Sequence, residues 1–284
     1  AGEWDYALLL HKLFGNLFVY TSKKSGWYKF EKHRWVHVGD SMDLDELIST
    51  KVLRLYEKRN KDVKKKMNDV MSIIGEIKDD ETKQDDCLEY QTKLKELTNR
   101  SKALVKCCKT LKDDGKKSKI LNQCKVLFRN REFFEKLDAN EWLMGFTNGV
   151  VDFKTGIFRE GRSDDYISMS TGIPYIKYNG AKHSKTLKKI ETFLHQLFPE
   201  DELYNYMWEH LASVLIGMVI NQTFTIYNGS GRNGKSKLVE LMDHCLGEYK
   251  GTLPITLVTS KRSVIGKATP EVADLKGLRY AVMQ

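Results

Sequence analysis

Eight consecutive residues, Gly229-Ser230-Gly231-Arg232-Asn233-Gly234-Lys235-Ser236, have the types and spacing to do chemistry on phosphate. They fit G-x-x-x-x-G-K-[ST], a pattern in which glycines let successive backbone N–H groups turn inward around phosphate oxygens at the positive end of a following helix. In such a loop Lys235 reaches the β and γ phosphates and Ser236 ligates magnesium. Gly229, Ser230, Gly231, Arg232, Asn233 and Gly234 would form the cradle. The expected cofactors are therefore ATP and Mg2+.

A loop of this kind works only between a strand and a helix. Before it, Thr223-Phe224-Thr225-Ile226-Tyr227 reads as the strand; after it, Leu238, Val239, Leu241, Met242 and Leu246 recur at helical spacing until Gly247. Helical patterns from Leu187 to Leu197 and from Leu203 to Gly217 deliver the chain to that strand. Ile255 to Val258 and Arg279 to Met283 read as two further strands.

Upstream, Trp4, Ala7, Leu8 and His11 mark a helix that Gly15 ends, and Leu17–Tyr20, Trp27–Phe30 and Arg34–Val38 read as a small antiparallel meander. Its Trp27, Tyr28 and Trp35 either stack nucleic-acid bases or fill a sheet too small to be stable without large aromatics. Asp43 suits a helix cap with Glu46 three residues on; the pair Asp43 and Asp45 also resembles a metal-binding couple but lacks a preceding strand. Leu44, Ile48, Val52 and Leu55 then share a face. Three more helical stretches follow, separated by a polar interval from Lys78 to Asp86, expected to be a mobile loop, and by Asp113-Asp114-Gly115. Trp142–Phe146 runs into Asn148-Gly149, a type I′ hairpin signal. Val150–Phe153, a turn at Lys154-Thr155-Gly156, Ile157–Arg159 and a run from Tyr166 to Thr171 complete a β-rich segment.

The 284 residues are 41% apolar and 30% charged, an ordinary globular composition without a membrane-length apolar run. Five cysteines (Cys87, Cys107, Cys108, Cys124, Cys245) lack C-x-x-C spacing and read as reduced; His33, His37 and His183 lack zinc-like spacing. The net charge of +9 resides wholly in residues 51–130, with 22 Lys and Arg against 13 Asp and Glu. Such a field suits a polyanion, with Lys64, Lys65, Lys66, Lys116, Lys117 and Lys119 as candidate phosphate contacts. Its alternative is a solvated surface of long helices.

Taken with Asn148-Gly149-Val150-Val151-Asp152-Phe153-Lys154-Thr155-Gly156, with Gly26-Trp27-Tyr28 and Arg34-Trp35, and with the stretch from Pro270 to Arg279, the glycine loop resembles superfamily 3 helicases. The branch is that of poxvirus-type and other large nucleocytoplasmic DNA virus primase-helicases, shared with phage and plasmid primases. The resemblance implies an α+β N-terminal domain, mostly helical with a small meander and hairpins, followed by the start of an α/β P-loop (AAA+-like) ATPase core. Segments are expected at 1–50, 51–140, 141–186, 187–222 and 223–284. It further implies a homo-hexameric ring, a primase domain in the same polypeptide, DNA as partner, and action in the host cytoplasm. The family's Walker B strand ends in carboxylates, whereas this chain stops at Gln284. The chain is therefore expected to be an internal piece that turns over ATP at no more than background, with Glu240, Asp243, Glu271 and Asp274 as the carboxylates to test if it does more. A P-loop kinase or packaging ATPase, and a non-catalytic oligomerisation or DNA-holding module, are the alternatives.

Overall fold

The computed structural model describes residues 2–77, 84–219, 222–259 and 275–283. Contacts divide the chain into two compact units: Ala1–Tyr28 with His37–Asn130, and Lys29–Val36 with Arg131–Gln284. Mostly helical, with small sheets, the fold is α+β. No described helix is long and apolar enough to cross a membrane.

The first unit begins with α1 (Glu3–Phe14), which buries Tyr6, Ala7, Leu10 and Phe14. That stripe is rotated from the one expected, because α1 turns this face to the helix at Asp114–Leu127 and leaves Trp4 and Leu8 exposed. Strands β1 (Phe18–Ser22), β2 (Gly26–Glu31) and β3 (Arg34–Gly39) form the expected meander. Trp27 is buried between the rings of Tyr20 and Phe128, with centroids 5.2 and 5.5 Å away. The core role of this tryptophan follows, and no base can reach its face.

Ser41, not Asp43, precedes α2 (Met42–Leu47); Asp43 lies in the first turn, and the Asp40 carboxylate accepts the Met42 N–H at 2.9 Å. Residues Ile48–Val52 form a π-helical turn leading into α3 (Leu53–Ile77). The wider turn inserts about one residue into the helical phase. Leu44, Ile48 and Val52 are buried as expected, but beyond the π turn the inward stripe restarts at Leu53 and Tyr56, and Leu55 is 53% exposed.

α3 packs along α4 (Gln84–Lys112) as a helical hairpin. Inward positions on α3 include Tyr56, Asn60, Val63, Met67, Val70 and Ile74, and on α4 Tyr90, Leu94, Leu97, Ser101, Leu104 and Cys108. Both series alternate steps of four and three, the 3.5-residue repeat of a two-helix coiled coil. At the middle of the seam the Ser101 hydroxyl donates to Asn60 Oδ1 at 2.8 Å, which pins the register. Of the polar interval expected as a loop, residues 78–83 lie outside the described ones, and 84–86 open α4.

Asp113 ends the hairpin and caps α5 (Asp114–Leu127), accepting the Lys116 N–H at 3.0 Å. Ile120 and Cys124 of α5 are buried with Phe128 against Leu10, Phe14 and Phe18. Burial pushes the Cys124 thiol up to about 12, so it stays protonated.

In the second unit, Trp35 is buried edge-on to Phe133 of α6 (Phe133–Lys136), centroids 5.3 Å apart, and donates its indole N–H to the Ser163 carbonyl at 2.8 Å. Strands β4 (Leu143–Phe146), β5 (Gly149–Asp152) and β6 (Ile157–Arg159) form an antiparallel sheet. Phe146 pairs with Gly149, so Thr147 and Asn148 form the turn and neither has positive φ. This corrects the expected Asn-Gly type I′ turn. Asn148 is instead committed elsewhere: its amide accepts the Tyr175 N–H at 2.8 Å and donates to the Tyr175 carbonyl at 3.0 Å. The following turn is as read, with Asp152 Oδ1 accepting the Lys154 N–H at 2.9 Å and Gly156 at φ +69°.

Tyr166–Thr171 is not a strand. Its backbone groups go singly to different partners: Ile167 O accepts from Trp35, Ser168 N donates to Asp138, and Thr171 N donates to Gly145 O. Next come α7 (Gly180–Leu197), α8 (Asp201–Ser213), α9 (Lys235–Leu246), β7 (Lys250–Leu253), α10 (Thr256–Thr259) and β8 (Tyr280–Met283), with β7 and β8 parallel. The expected strand at Ile255–Val258 is therefore part of a short helix, and the strand lies just before it. Leu194, Leu211, Leu238, Met242 and Leu246 form this unit's core. Tyr249 ties that core to the sheet: its hydroxyl accepts the Gly145 N–H at 2.8 Å and donates to Met169 O at 3.1 Å.

Candidate nucleotide-binding site

The helix after the glycine loop forms as read. α9 buries Leu238, Met242 and Leu246 and ends at Gly247, whose φ of +54° closes it. Gly234 stands before it at φ +82° and contributes no side-chain cap, leaving the first-turn N–H groups of α9 without a side-chain acceptor among the described residues. Those are the groups an anion would satisfy.

The segment before the loop differs from expectation. Residues 222–228 form no ladder with any described strand, and Phe224 and Ile226 are 87% and 76% exposed. A strand exists only by sharing hydrogen bonds with a neighbour, and here β8 pairs with β7 instead. One residue of the segment is fixed. Tyr227 packs against the second core, and its hydroxyl meets His210 Nε2 at 2.9 Å and the Tyr280 hydroxyl at 3.3 Å. Burial lowers the His210 pKa and raises that of Tyr227, so both stay neutral near pH 7. These partners lie far away along the chain and carry no local signal, so sequence reading could not find this anchor.

Within the loop, Gly231, Arg232 and Gly234 all have positive φ, at +93°, +53° and +82°. Left-handed residues of this kind turn backbone N–H groups into anion-holding concavities. Lys235 reaches back across the loop, its Nζ donating to Asn233 Oδ1 at 2.7 Å. A Cβ on Gly229 would fall 2.0 Å from Asn233 Nδ2 and 2.9 Å from Lys235 Nζ. A Cβ on Gly234 would fall 2.2 Å from Leu197 Cδ2, so α7 buttresses the loop from beneath. Gly229, Asn233 and Lys235 thus lie against one another, and the donor types of the loop suit a phosphate chain. Ser236 lies exposed in the first turn of α9.

Carboxylates near the loop are committed to lysines. Glu240 pairs with Lys237 at 2.6 Å, which holds its carboxyl below the usual range, and Asp243 pairs with Lys250 at 3.2 Å. Glu271 and Asp274 lie outside the described residues. Among the described residues no three His, Cys, Asp or Glu gather as a metal site.

The candidate phosphate-contacting lysines fall on two elements of the first unit. Lys64, Lys65 and Lys66 are exposed on α3, and Lys116 and Lys119 are exposed on α5. Lys117 is not available: its side chain is 12% exposed and bridges Asp114 at 3.0 Å and Asp45 at 3.3 Å, which raises its pKa. The same bridge gives Asp45 a structural role.

A family model described as "D5 N terminal like" matches residues 7–199, ending before the glycine loop. A protein of Acanthamoeba polyphaga mimivirus, provisionally named a helicase, is 34% identical over 98% of this chain and 27% of its own length. A provisionally named helicase of Invertebrate iridescent virus 3 is 26% identical over 97% of this chain and 30% of its own length. A provisionally named primase of African swine fever virus is 27% identical over 98% of this chain and 28% of its own length. The chain thus spans less than a third of each of these relatives, and their similarity continues through the loop that the family model leaves out. With two thirds of its length matched, from α1 through the β4–β6 sheet to the end of α7, the chain belongs to the D5 N-terminal-like family, and these relatives come from large DNA viruses.

Proposed function

We propose that the chain is part of a viral replicative primase-helicase, and that Gly229–Ser236 is its ATP site. The observation that carries this reading is that Lys235 Nζ folds back beside Gly229 and Asn233 in a loop of left-handed residues that leads into the uncapped first turn of α9. The provisional helicase and primase names of the relatives support the wider role. In the complete protein, by this reading, copies assemble as a hexameric ring on DNA and act beside a primase domain in the host cytoplasm.

Bound ATP with Mg2+ supplies the phosphoanhydride whose hydrolysis drives strand separation. The chain's own residues hold it. Lys235 would exchange Asn233 Oδ1 for a phosphate oxygen, the N–H groups from Gly229 to Gly234 and of the first turn of α9 would hold the phosphates, and Ser236 would be the magnesium ligand. Leu197 under Gly234 and the Tyr227 anchor keep the loop's two ends in place.

Titration of the purified chain with a fluorescent ATP analogue tests the site. Removing the Lys235 ammonium deletes a charge-assisted bond whose net value is about 1.5–3 kcal/mol. Lys235→Ala should therefore weaken binding roughly ten- to a hundredfold. An unchanged affinity removes the loop as the nucleotide site.

A further inference from the structure

The α3–α4 hairpin carries its charges in a pattern that neither the family nor the nucleotide loop explains. Over residues 53–66 and 93–112 there are fourteen Lys and Arg against three Asp and Glu, and over 67–92 two lysines against eight acids. Residues 53–66 and 93–112 thus make the cationic part of the hairpin.

Around the helices the segregation is sharper. Residues directly following the seam positions Leu53, Asn60, Leu94, Ser101 and Cys108 are Arg54, Lys61, Lys95, Lys102 and Lys109. Two places after Asn60, Met67, Ile74, Cys87 and Leu94 come acids: Asp62, Asp69, Glu76, Glu89 and Glu96. In a heptad these two places lie toward opposite flanks of the seam. Because the helices run antiparallel, the cationic places of both fall on the same flank, joined there by Lys64. The opposite flank mixes Arg59, Lys66, Lys93 and Arg100 with the acids one turn away, a balanced surface.

Among the described residues, the one acid on the cationic flank, Glu57, is taken by Lys112 at 3.0 Å. Arg54, Lys61, Lys64, Lys95, Lys102 and Lys109 are all exposed, and among the described residues none makes an ion pair. Arg54 and Lys61 on α3, and Lys95, Lys102 and Lys109 on α4, repeat every seven residues, about 10.5 Å along each helix. The flank offers no aromatic side chain, so it lacks both the anchors of a protein interface and the platforms on which unstacked bases lie.

We infer that this flank of the α3–α4 coiled coil is a nucleic-acid-binding strip that grips the phosphate backbone without reading sequence. It accounts for the basic surplus of the chain, retains Lys64 from the lysines first considered, and sets aside Lys65, which faces away from the seam, and Lys66, which sits between Asp62 and Asp69. The strip stands whether or not the glycine loop binds ATP.

Fluorescence anisotropy of a labelled 20-base-pair duplex and of a 20-nucleotide oligo-dT, each titrated with the 284-residue chain from 50 to 200 mM NaCl, tests it. The duplex should bind at least as tightly as the single strand. Each phosphate contact contributes about 0.9 to the log–log salt slope on duplex DNA. Lys61→Gln with Lys95→Gln and Lys102→Gln should lower that slope by about 2–3 and weaken binding at least about tenfold. The same charge change on the other flank, Arg59→Gln with Lys66→Gln and Lys93→Gln, should weaken it less than about threefold. Lys235→Ala should leave duplex affinity unchanged, which separates this outcome from failure of the nucleotide site. Equal losses in both triple variants, no loss in either, or an altered sedimentation coefficient with unaltered duplex affinity would each overturn the strip. The first makes binding a matter of net charge, the second a solvated surface, and the third a contact between copies.

Discussion

The coiled-coil hairpin of the first unit and the glycine loop of the second, the two proposed phosphate-binding elements, are built by opposite physical means. In the hairpin the backbone is regular, every carbonyl and N–H along its interior is satisfied within its helix, and charge on long side chains projects outward. In the loop, side-chain charge is confined to Arg232 and Lys235, and the proposed recognition rests mainly on backbone groups freed by left-handed residues. A surface built the first way tolerates substitution position by position, because its field is a sum. A site built the second way does not, because each dihedral is a precondition for the next.

Glycine substitutions should expose this contrast most strongly. Gly229→Ala places a methyl group 2.0 Å from Asn233 Nδ2 and drives Asn233 and Lys235 from their positions. ATP affinity should fall at least about tenfold, the scale of one charge-assisted bond, with the melting of the chain little changed. Retention of affinity in that variant would mean that the loop rearranges freely and is not preorganised.

The two units should also part company in acid. His33 and His210 both lie in the second unit, and burial lowers both pKa values, for His33 with help from Arg34 and Lys32. A depressed histidine favours the neutral ring in the fold. Its contribution to stability is present above the unfolded value near 6.5 and is lost as pH falls through the folded one. Amide exchange at pH 5.5 against pH 7.5, corrected for intrinsic rates, should show protection falling in α8 and β8 while α3 and α4 hold theirs. Equal loss in both units would assign the acid response to carboxylates. The smallest effect belongs to the hairpin's own glycine. A Cβ on Gly75 meets nothing within 4 Å, so Gly75→Ala should stabilise α3 by about 0.5–1 kcal/mol, seen as a raised melting temperature.

What the sequence made legible divides along the same line. Regular periodicity was readable wherever it ran unbroken: α9 with Leu238, Met242 and Leu246, the β1–β3 meander, and the Asp152 turn. The hairpin was seen as separate helices because Asn60 and Ser101 occupy seam positions, and two polar residues in an apolar series read as a gap. The π turn hid the phase shift that turns Leu55 outward. At the site, the loop was read from its residue types alone, since glycine spacing encodes backbone freedom directly. The segment at 223–227 reads as a strand by composition, but composition cannot supply the ladder partner that a strand requires. Lys117 looked free for the same reason: Asp45 and Asp114 reach it from two helices.

The Asn60–Ser101 bond has a consequence for how this hairpin can change in length. With the register fixed at one rung, the seam behaves as a ruler graduated in heptads. Seven residues added to α3 beyond Val70, matched by seven in α4 before Tyr90, would carry the far end outward by about 10 Å and leave every rung below in place. An addition that is not a whole number of heptads would shift the phase and turn polar residues toward the seam. Reach is therefore adjustable in discrete steps, independently of everything the rest of the chain does.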